Sequence, residues 1–439
     1  MTARALPPIP GRLNGHVDGT SHIDDLADFV TASPSSYHAA AEVARRLVGA
    51  GYTVLDETED WSAAVVPGAR LLLVRDGAVI ALAVPEEADA TTPYRIVGAH
   101  TDSPGLKLKP KPTLGGGGFL QAGVEVYGGP ILASWFDREL ELAGRVVDAS
   151  GAEHLVRTGP WARVPHLAIH LDRDLNTAFS PDRQRDLQPV LGVVGDGDVV
   201  GALADLIGIP SADVAGYDLI TCDTQPPRRF GITGDLFASP RLDNLTSVHA
   251  GLRAMEAVEP GSAIAVLAAF DHEEVGSESR SGAAGPLLAD VLERVTAALG
   301  GGRAELARAI AGSWCMSADA GHAVHPNRPE KHDPANRPVA GGGPLLKINA
   351  VQRYTTDAPG AALWGRVCRA AGVPWQEFVS NNDVPCGSTI GPITATRLGI
   401  RTFDVGTPLL SMHSARELAH VDDPGRLADA AGVFLAAAE

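Results

Sequence analysis

The spacing of apolar positions changes twice along the chain, and the two changes outline its organisation. Ile23, Leu26 and Val30 recur at helical intervals beside Ser21 and Asp24, the pattern of a capping box, which predicts an opening helix. A second helix is predicted from Ser35 to Ala50, with Gly51 as its stop. Two β-rich runs, Leu71–Val74 and Val79–Val84, flank Asp76-Gly77 and read as a hairpin whose loop is longer than the tightest kind. Arg95–Ala99 reads as a strand that stops at His100. From Ser103 to about Gly234 the chain turns rich in Gly and Pro, with short β-like runs at Gly123–Tyr127, Leu140–Val147 and His166–Ile169. Alternation of helix and strand then returns. Leu245, Val248, Leu252 and Met255 share one helical face, Ala263–Phe270 and Ser313–Ser317 read as strands, and Pro286–Leu299 reads as a helix. A Pro- and Gly-rich loop covers Pro326–Pro344, and a closing helix covers Gly425–Ala438. The pattern predicts an α/β sheet domain made from residues 1–104 and 236–439, interrupted by an inserted β-rich domain over 105–235.

Composition narrows the function classes. Hydrophobic residues are 45% and charged residues 20% of 439, which excludes wholesale disorder. With 36 basic against 53 acidic residues the formal charge is -17, unsuited to nucleic acid or an anionic membrane. No apolar run approaches the roughly 18 residues of a membrane span. Met1–Gly15 carries three prolines and no hydrophobic signal core, so a cytoplasmic protein is expected. Cys222, Cys315, Cys368 and Cys386 are far apart and form no CxxC, which reads as reduced thiols rather than a cysteine zinc site. Gly115–Gly118 lacks the Lys-Ser/Thr and the preceding strand of a phosphate loop and reads as a flexible tip.

Three groups of chemistry-bearing residues stand just past strand-like runs: His100, the run Asp271-His272-Glu273-Glu274, and Asp319. The carboxyl ends of strands in an open α/β sheet converge on one crevice, so three segments can deliver them to one place. His, Asp and Glu without Cys form the ligand set of hydrolytic zinc, manganese or cobalt sites. Each piece also has a plainer reading. His100-Thr-Asp102 fits a capped turn as well as a ligand whose ring a nearby carboxylate holds. Glu273-Glu274 fits a solvated pair, although like charges after an apolar strand call for a cation. Asp243 fits a helix N-cap. Asp319 and His413 each sit among turn residues.

At these residues the chain resembles the aspartyl aminopeptidase family of metallopeptidases. The matching segments include Ala99–Pro104, Gly118–Gly128, Ser134–Arg138, Val164–Leu171, Ser239–Leu245, Asp271–Ser277, Ser317–Asn327, Cys386–Pro392 and Met412–Glu417, in family order. The resemblance implies a mixed central sheet flanked by helices, the zinc peptidase fold, with the insert as a dimerisation domain. It implies two divalent metal ions, zinc before manganese or cobalt. His100 and Asp319 would hold one, Glu274 and His413 the other, and Asp243 would bridge them. Glu273 would be the general base acting on a shared water, and Asp102 the partner of His100. The reaction implied is removal of an N-terminal Asp or Glu from peptides. Lys347 matches the lysine of the acidic side-chain pocket, where its plainer reading is a surface lysine. Tyr354 and Met412 match pocket-lining positions. His170 matches a histidine that reaches a neighbouring subunit's active site, where its plainer reading is structural. Family members assemble from dimers into tetrahedral dodecamers. Ala320-Gly321 stands where the family more often has Met-Ala, next to Asp319 but replacing no implied ligand. Two other readings stay open: a broader aminopeptidase, and a non-catalytic peptide-binding shell, which predicts a lost ligand or base.

Overall fold

The computed structural model describes residues 22–193 and 197–437. The capping residue Ser21, the segment Met1–Gly15 and the last residue of the expected closing helix, Ala438, lie outside them. The chain opens with α1 (His22–Ala32) and α2 (Ser36–Gly49), the latter capped by the Ser35 hydroxyl. Four strands follow: β1 (Thr53–Val54), β2 (Arg70–Arg75), β3 (Ala78–Ala83) and β4 (Tyr94–His100). The β2–β3 loop is tighter than the sequence suggested. Arg75 pairs with Ala78, leaving only Asp76 and Gly77 in the turn, because Asp76 adopts a left-handed backbone with φ 55°.

The next stretch builds β5 (Gly105–Gly116), β6 (Phe119–Tyr127), β7 (Leu140–Asp148), β8 (Glu153–Arg157), β9 (Val190–Val193), α3 (Val199–Ile207) and β10 (Val214–Asp223). These strands form an antiparallel six-stranded sheet in the order β8-β7-β10-β5-β6-β9. Its own core gathers Leu106, Leu108, Trp135, Leu140, Leu142 and Leu203. The four-glycine run closes the β5–β6 hairpin, with Gly117 and Gly118 at positive φ. The run His166–Ile169 is not a strand. Pairing stops at Val164, Pro165 offers no donor, and Leu167 and Ile169 face outward at 54% and 43% exposure.

The rest of the chain supplies β11 (Arg228–Phe230), β12 (Leu236–Ser239), α4 (Leu242–Ala257), β13 (Ile264–Phe270), α5 (Leu287–Ala298), α6 (Arg303–Gly312), β14 (Trp314–Ala318), β15 (Gly321–His322) and β16 (Leu345–Ile348). After them come α7 (Ala358–Ala371), β17 (Gln376–Val379), α8 (Ile390–Leu398), β18 (Arg401–Gly406), β19 (Pro408–Leu409), β20 (Glu417–His420) and α9 (Asp423–Leu435). The closing helix begins two residues earlier than expected, because Pro424 takes an opening position whose φ suits it. Strand β11 pairs with β12, which pairs with β20.

The main sheet has nine strands in the order β1-β2-β3-β13-β4-β14-β18-β16-β17 and mixes parallel and antiparallel pairs. Its central strands are buried on both faces, and alternation along β13 divides the core in two. Ala265, Leu267 and Ala269 pack with α1, α2, α4, α7 and α9 on one side. Ile264, Val266, Ala268 and Phe270 pack with α5, α6 and α8 on the other. Among the described residues no helix is long and apolar enough to cross a membrane, and the four cysteines are unpaired.

One close approach fixes the level of the sheet ends. A Cβ on Gly406, at the end of β18, would lie 1.7 Å from the carbonyl oxygen of Asp319. Gly406→Ala is therefore expected to cost about 3 kcal/mol. In Gly432, inside α9, a Cβ would meet nothing within 4 Å, and Gly432→Ala is expected to stabilise by about 0.5–1 kcal/mol. Thermal unfolding of the two variants should move Tm in opposite directions.

Candidate metal centre

Parallel pairing brings the sequence's separate polar groups to one level. His100 ends β4 opposite Phe270 of β13, so the residues after Phe270 emerge beside it. On its other side β14 pairs Ser317 with Gly98, and Asp319 leaves the sheet two residues later. Asp243 comes from the first turn of α4. That turn is not regular: Arg241 occupies the cap position at φ 56° with no side-chain bond capping the helix, and Asp243 has φ −82° and ψ 106°. The N-cap reading of Asp243 therefore does not hold, and its carboxylate turns toward the crevice. His413 arrives from the loop between β19 and β20, at φ 66°. His272, ahead of Glu273, also takes a left-handed φ of 63°. Non-glycine residues in this region cost of order 1 kcal/mol each, and three border one cluster.

Six side chains meet. The Nε2 atom of His100 lies 3.4 Å from Asp243 Oδ1 and 3.4 Å from Asp319 Oδ1. The Nε2 atom of His413 lies 3.5 Å from Asp243 Oδ2 and 3.4 Å from Glu274 Oε2. The two Asp243 oxygens thus face different histidines. Glu273 stands at the side, its Oε2 3.9 Å from His100 Nε2. His100, Asp243 and Asp319 form one set of atoms able to share an ion, Asp243, Glu274 and His413 a second, and His100, Glu273 and Glu274 a third.

The donor chemistry fits cations. Both histidines hold Nδ1 against a backbone carbonyl, His100 at 3.0 Å from Asp102 O and His413 at 3.0 Å from Gly129 O. A ring that donates from Nδ1 presents a lone pair at Nε2, toward the carboxylates. Asp243 Oδ1 and Glu274 Oε1 are buried without a hydrogen-bond partner. Orphaned buried carboxylate oxygens are costly unless a positive charge answers them.

The titration behaviour expresses the same crowding. Burial opposes charge on His100, yet Asp102, Asp243, Asp319 and Glu273 outweigh it and hold the ring well above its ordinary pKa. Burial, reinforced by Asp243, holds Glu274 well above the carboxylate range. Burial pushes Glu273 up to about 7, with Asp319 and Asp243 adding to it against the pull of His100.

The other expected residues are placed as follows. Asp102 offers His100 its carbonyl more closely than its carboxylate, whose Oδ1 is 3.4 Å from Nδ1. That carboxylate instead accepts the backbone N–H groups of Glu273 and Glu274 at 3.0 and 3.1 Å and the Tyr127 hydroxyl at 2.8 Å. Lys347 is no surface lysine. It is 1% exposed, its Nζ donates to Ala320 O at 2.7 Å, and Asp319 Oδ2 is 3.7 Å away. The Tyr354 ring lies 5.2 Å from that ammonium. Met412 is half-buried against the main core. His170 is exposed in a turn of the 105–235 stretch and makes no hydrogen bond or ion pair among the described residues.

Two supporting residues escaped the sequence reading although both lie in segments singled out there. Glu417, 2% exposed, accepts the N–H of Asp243 at 2.9 Å and that of His413 at 2.7 Å. Tyr127 is the other.

Comparison with known proteins finds zinc metalloproteases. The family described as Aminopeptidase I zinc metalloprotease (M18) matches residues 29–431. A probable M18 family aminopeptidase 2 of Streptomyces avermitilis is 52% identical over 423 residues, covering 94% of this chain and 97% of that one. Among solved structures, a chain of the Ape4 and Nbr1 complex superposes with TM-score 0.90 at 36% identity, covering 94% of this chain and 85% of its own. The S. cerevisiae mApe1 dodecamer superposes with TM-score 0.83 at 27% identity, covering 94% and 96%.

Glu417→Ala leaves two buried N–H groups next to the centre unpaired. It is expected to destabilise by about 1–3 kcal/mol and to weaken zinc retention about 10–100-fold. Chelator competition and thermal unfolding check the two effects.

Proposed function

The chain belongs to the M18 family of zinc metalloprotease aminopeptidases, and on that premise we propose that it removes Asp or Glu from peptide N-termini with two divalent cations. The observation that carries the two-cation reading is Asp243, whose oxygens face two different histidine-containing sets. His100 and Asp319 would hold one cation, Glu274 and His413 the other, with Asp243 shared. Zinc leads, and manganese or cobalt suit the same ligands. When bound, the pair supplies Lewis-acid chemistry, lowering the pKa of water toward neutrality and offsetting negative charge on the carbonyl oxygen.

The chain's own groups do the rest. Glu273, flanking the cluster with its Oε2 3.9 Å from His100 Nε2, takes a proton from the attacking water and returns it to the departing amine nitrogen. The C–N bond breaks as the new C–O bond forms, so one water is consumed and one free amino acid is released. Asp102 holds the Glu273–Glu274 backbone and the His100 ring in place.

Specificity for an acidic side chain rests on Lys347. A buried ammonium is screened less than one in water, so its field reaches a carboxylate at the pocket wall despite a net charge of -17 on the chain. Tyr354 lies beneath it, and Met412 adjoins His413. In this reading residues 105–235 form the dimerisation domain, and dimers build a tetrahedral dodecamer, as one similar structure is a dodecamer. His170, exposed on that domain, then donates to the reacting oxygen in a neighbouring subunit. A closed assembly in the cytoplasm admits short peptides and excludes folded proteins. One observation favours a broader aminopeptidase instead: Lys347 already serves the Ala320 carbonyl and Asp319.

Release of Asp, Glu, Leu and Ala from N-terminal amides separates the two. Chelation is expected to abolish activity, and zinc, manganese or cobalt to restore it. Asp and Glu should exceed Leu, and Lys347→Met should cut Asp release at least about tenfold more than Leu release, a difference of about 1.4 kcal/mol. Leu released faster than Asp by the unaltered protein sinks the acidic reading. Glu273→Gln should retain metal and assembly but lose turnover; surviving turnover removes Glu273 from the base role.

A further inference from the structure

The two halves of the centre are held by different parts of the chain. His100 and Asp319 are fixed from within the nine-stranded sheet. His100 is the last residue of β4, with its ring on the Asp102 carbonyl, and Asp319 donates its N–H to Val405 O at 3.0 Å. Glu274 and His413, besides their bonds to Asp102 and Glu417, are met by the chain that leaves the six-stranded sheet. As β6 ends, the chain runs from Tyr127 to Ile131 along the centre. The Tyr127 hydroxyl donates to Asp102 Oδ2 at 2.8 Å, the oxygen that also accepts the Glu274 N–H at 3.1 Å. The Gly129 carbonyl takes His413 Nδ1 at 3.0 Å, and the Ile131 N–H donates to the His413 carbonyl at 2.9 Å. Gly128 lies so close that a Cβ there would stand 3.1 Å from Glu274 Cβ. Within these five residues Gly128 lies against Glu274, and Gly129 and Ile131 bond His413, while Tyr127 reaches Glu274 through Asp102.

We propose that the segment leaving β6 is a positioning element for the Glu274–His413 half of the centre, acting through the Tyr127 hydroxyl on Asp102 and the Gly129 carbonyl on His413, so that this half binds its cation only as well as the six-stranded sheet is seated. The inference rests on the two-cation reading above. Tyr127 is a positioning residue: its oxygen contacts Asp102, not the cluster. Burial and the neighbouring carboxylates of Asp102 and Asp271 hold its phenol well above the ordinary range, so it stays a donor. Asp102 also holds the His100 ring, but through its carbonyl and Oδ1; without the hydroxyl it is Oδ2, the oxygen that steers Glu274, that loses one of its two donors. Hydrogen bonds that orient metal ligands typically govern affinity by 10–100-fold.

The test is a zinc titration of the full-length, chelator-treated protein by calorimetry, with a competing chelator, for the unaltered chain and three variants. The unaltered chain should take up two equivalents. Tyr127→Phe is expected to weaken one equivalent about tenfold and leave the other within about twofold. Gly128→Ala strains the same segment, whose backbone there is left-handed at φ 69°, and presses on Glu274 without removing a bond of Asp102, so it should weaken the same equivalent; it carries the test if Tyr127→Phe does not fold. Tyr217→Phe is the control. That hydroxyl lies in the same six-stranded sheet and donates to Lys109 O at 2.8 Å, away from the centre, so both equivalents should be unchanged. Equal weakening of both equivalents, no weakening in either segment variant, or the same selective loss in Tyr217→Phe would overturn the proposal. A single equivalent on the unaltered chain would instead remove the two-cation premise.

Discussion

Four carboxylates and two imidazoles share a crevice too small for them to be charged independently. That repulsion is the constraint on which the structure turns. Asp243 and Glu274 each bury an oxygen with no hydrogen-bond partner, and burial with like charges keeps Glu274 inclined to hold a proton. In water such a cluster would splay apart. It persists because each member is held from behind by hydrogen bonds: the Asp102 and Gly129 carbonyls hold the rings, the Glu417 carboxylate accepts the N–H groups of Asp243 and His413, the Asp102 carboxylate accepts those of Glu273 and Glu274, and the Val405 carbonyl accepts that of Asp319. The fold spends its rigidity at the one place where electrostatics works against it, which makes a cation the natural completion.

The main sheet is suited to that task because its middle is parallel. β13, β4, β14 and β18 end on the same side, so ligands separated in sequence emerge side by side. Both faces are covered by helices, which removes water from beneath the centre. The flanking antiparallel strands then bring Lys347 behind Asp319, where it offsets one carboxylate from the interior.

Much of this was legible because long apolar strands announce themselves. Ala263–Phe270 ended within a residue of its predicted bounds, and the polar run after it had nowhere to go but the crevice. His100 and Asp319 were visible for the same reason. What stayed hidden depends on tertiary position. Asp243 looks like an N-cap in sequence, since a capping aspartate and one in a distorted first turn have the same neighbours. Lys347 looks like a surface residue until β16 is seen inside a sheet. Tyr127 and Glu417 act only through partners far away in the chain. His166–Ile169 failed because alternation describes a strand only where a neighbouring strand exists to pair with it, and here pairing stops at Val164. Helices α7 and α8 carry ordinary caps at Asp357 and Thr389, but their surroundings of Gly and Pro obscured them.

The order of the candidate ligands along the chain bears on biosynthesis. His100 is made first, then Asp243, Glu274 and Asp319, and His413 only after every strand from β1 to β19. Domains fold from the amino end as they are made, so a nascent chain holds most of the centre long before it holds all of it. The sheet can set while one histidine is still unmade. A centre whose last candidate ligand arrives this late stays incomplete until nearly the whole chain has been made.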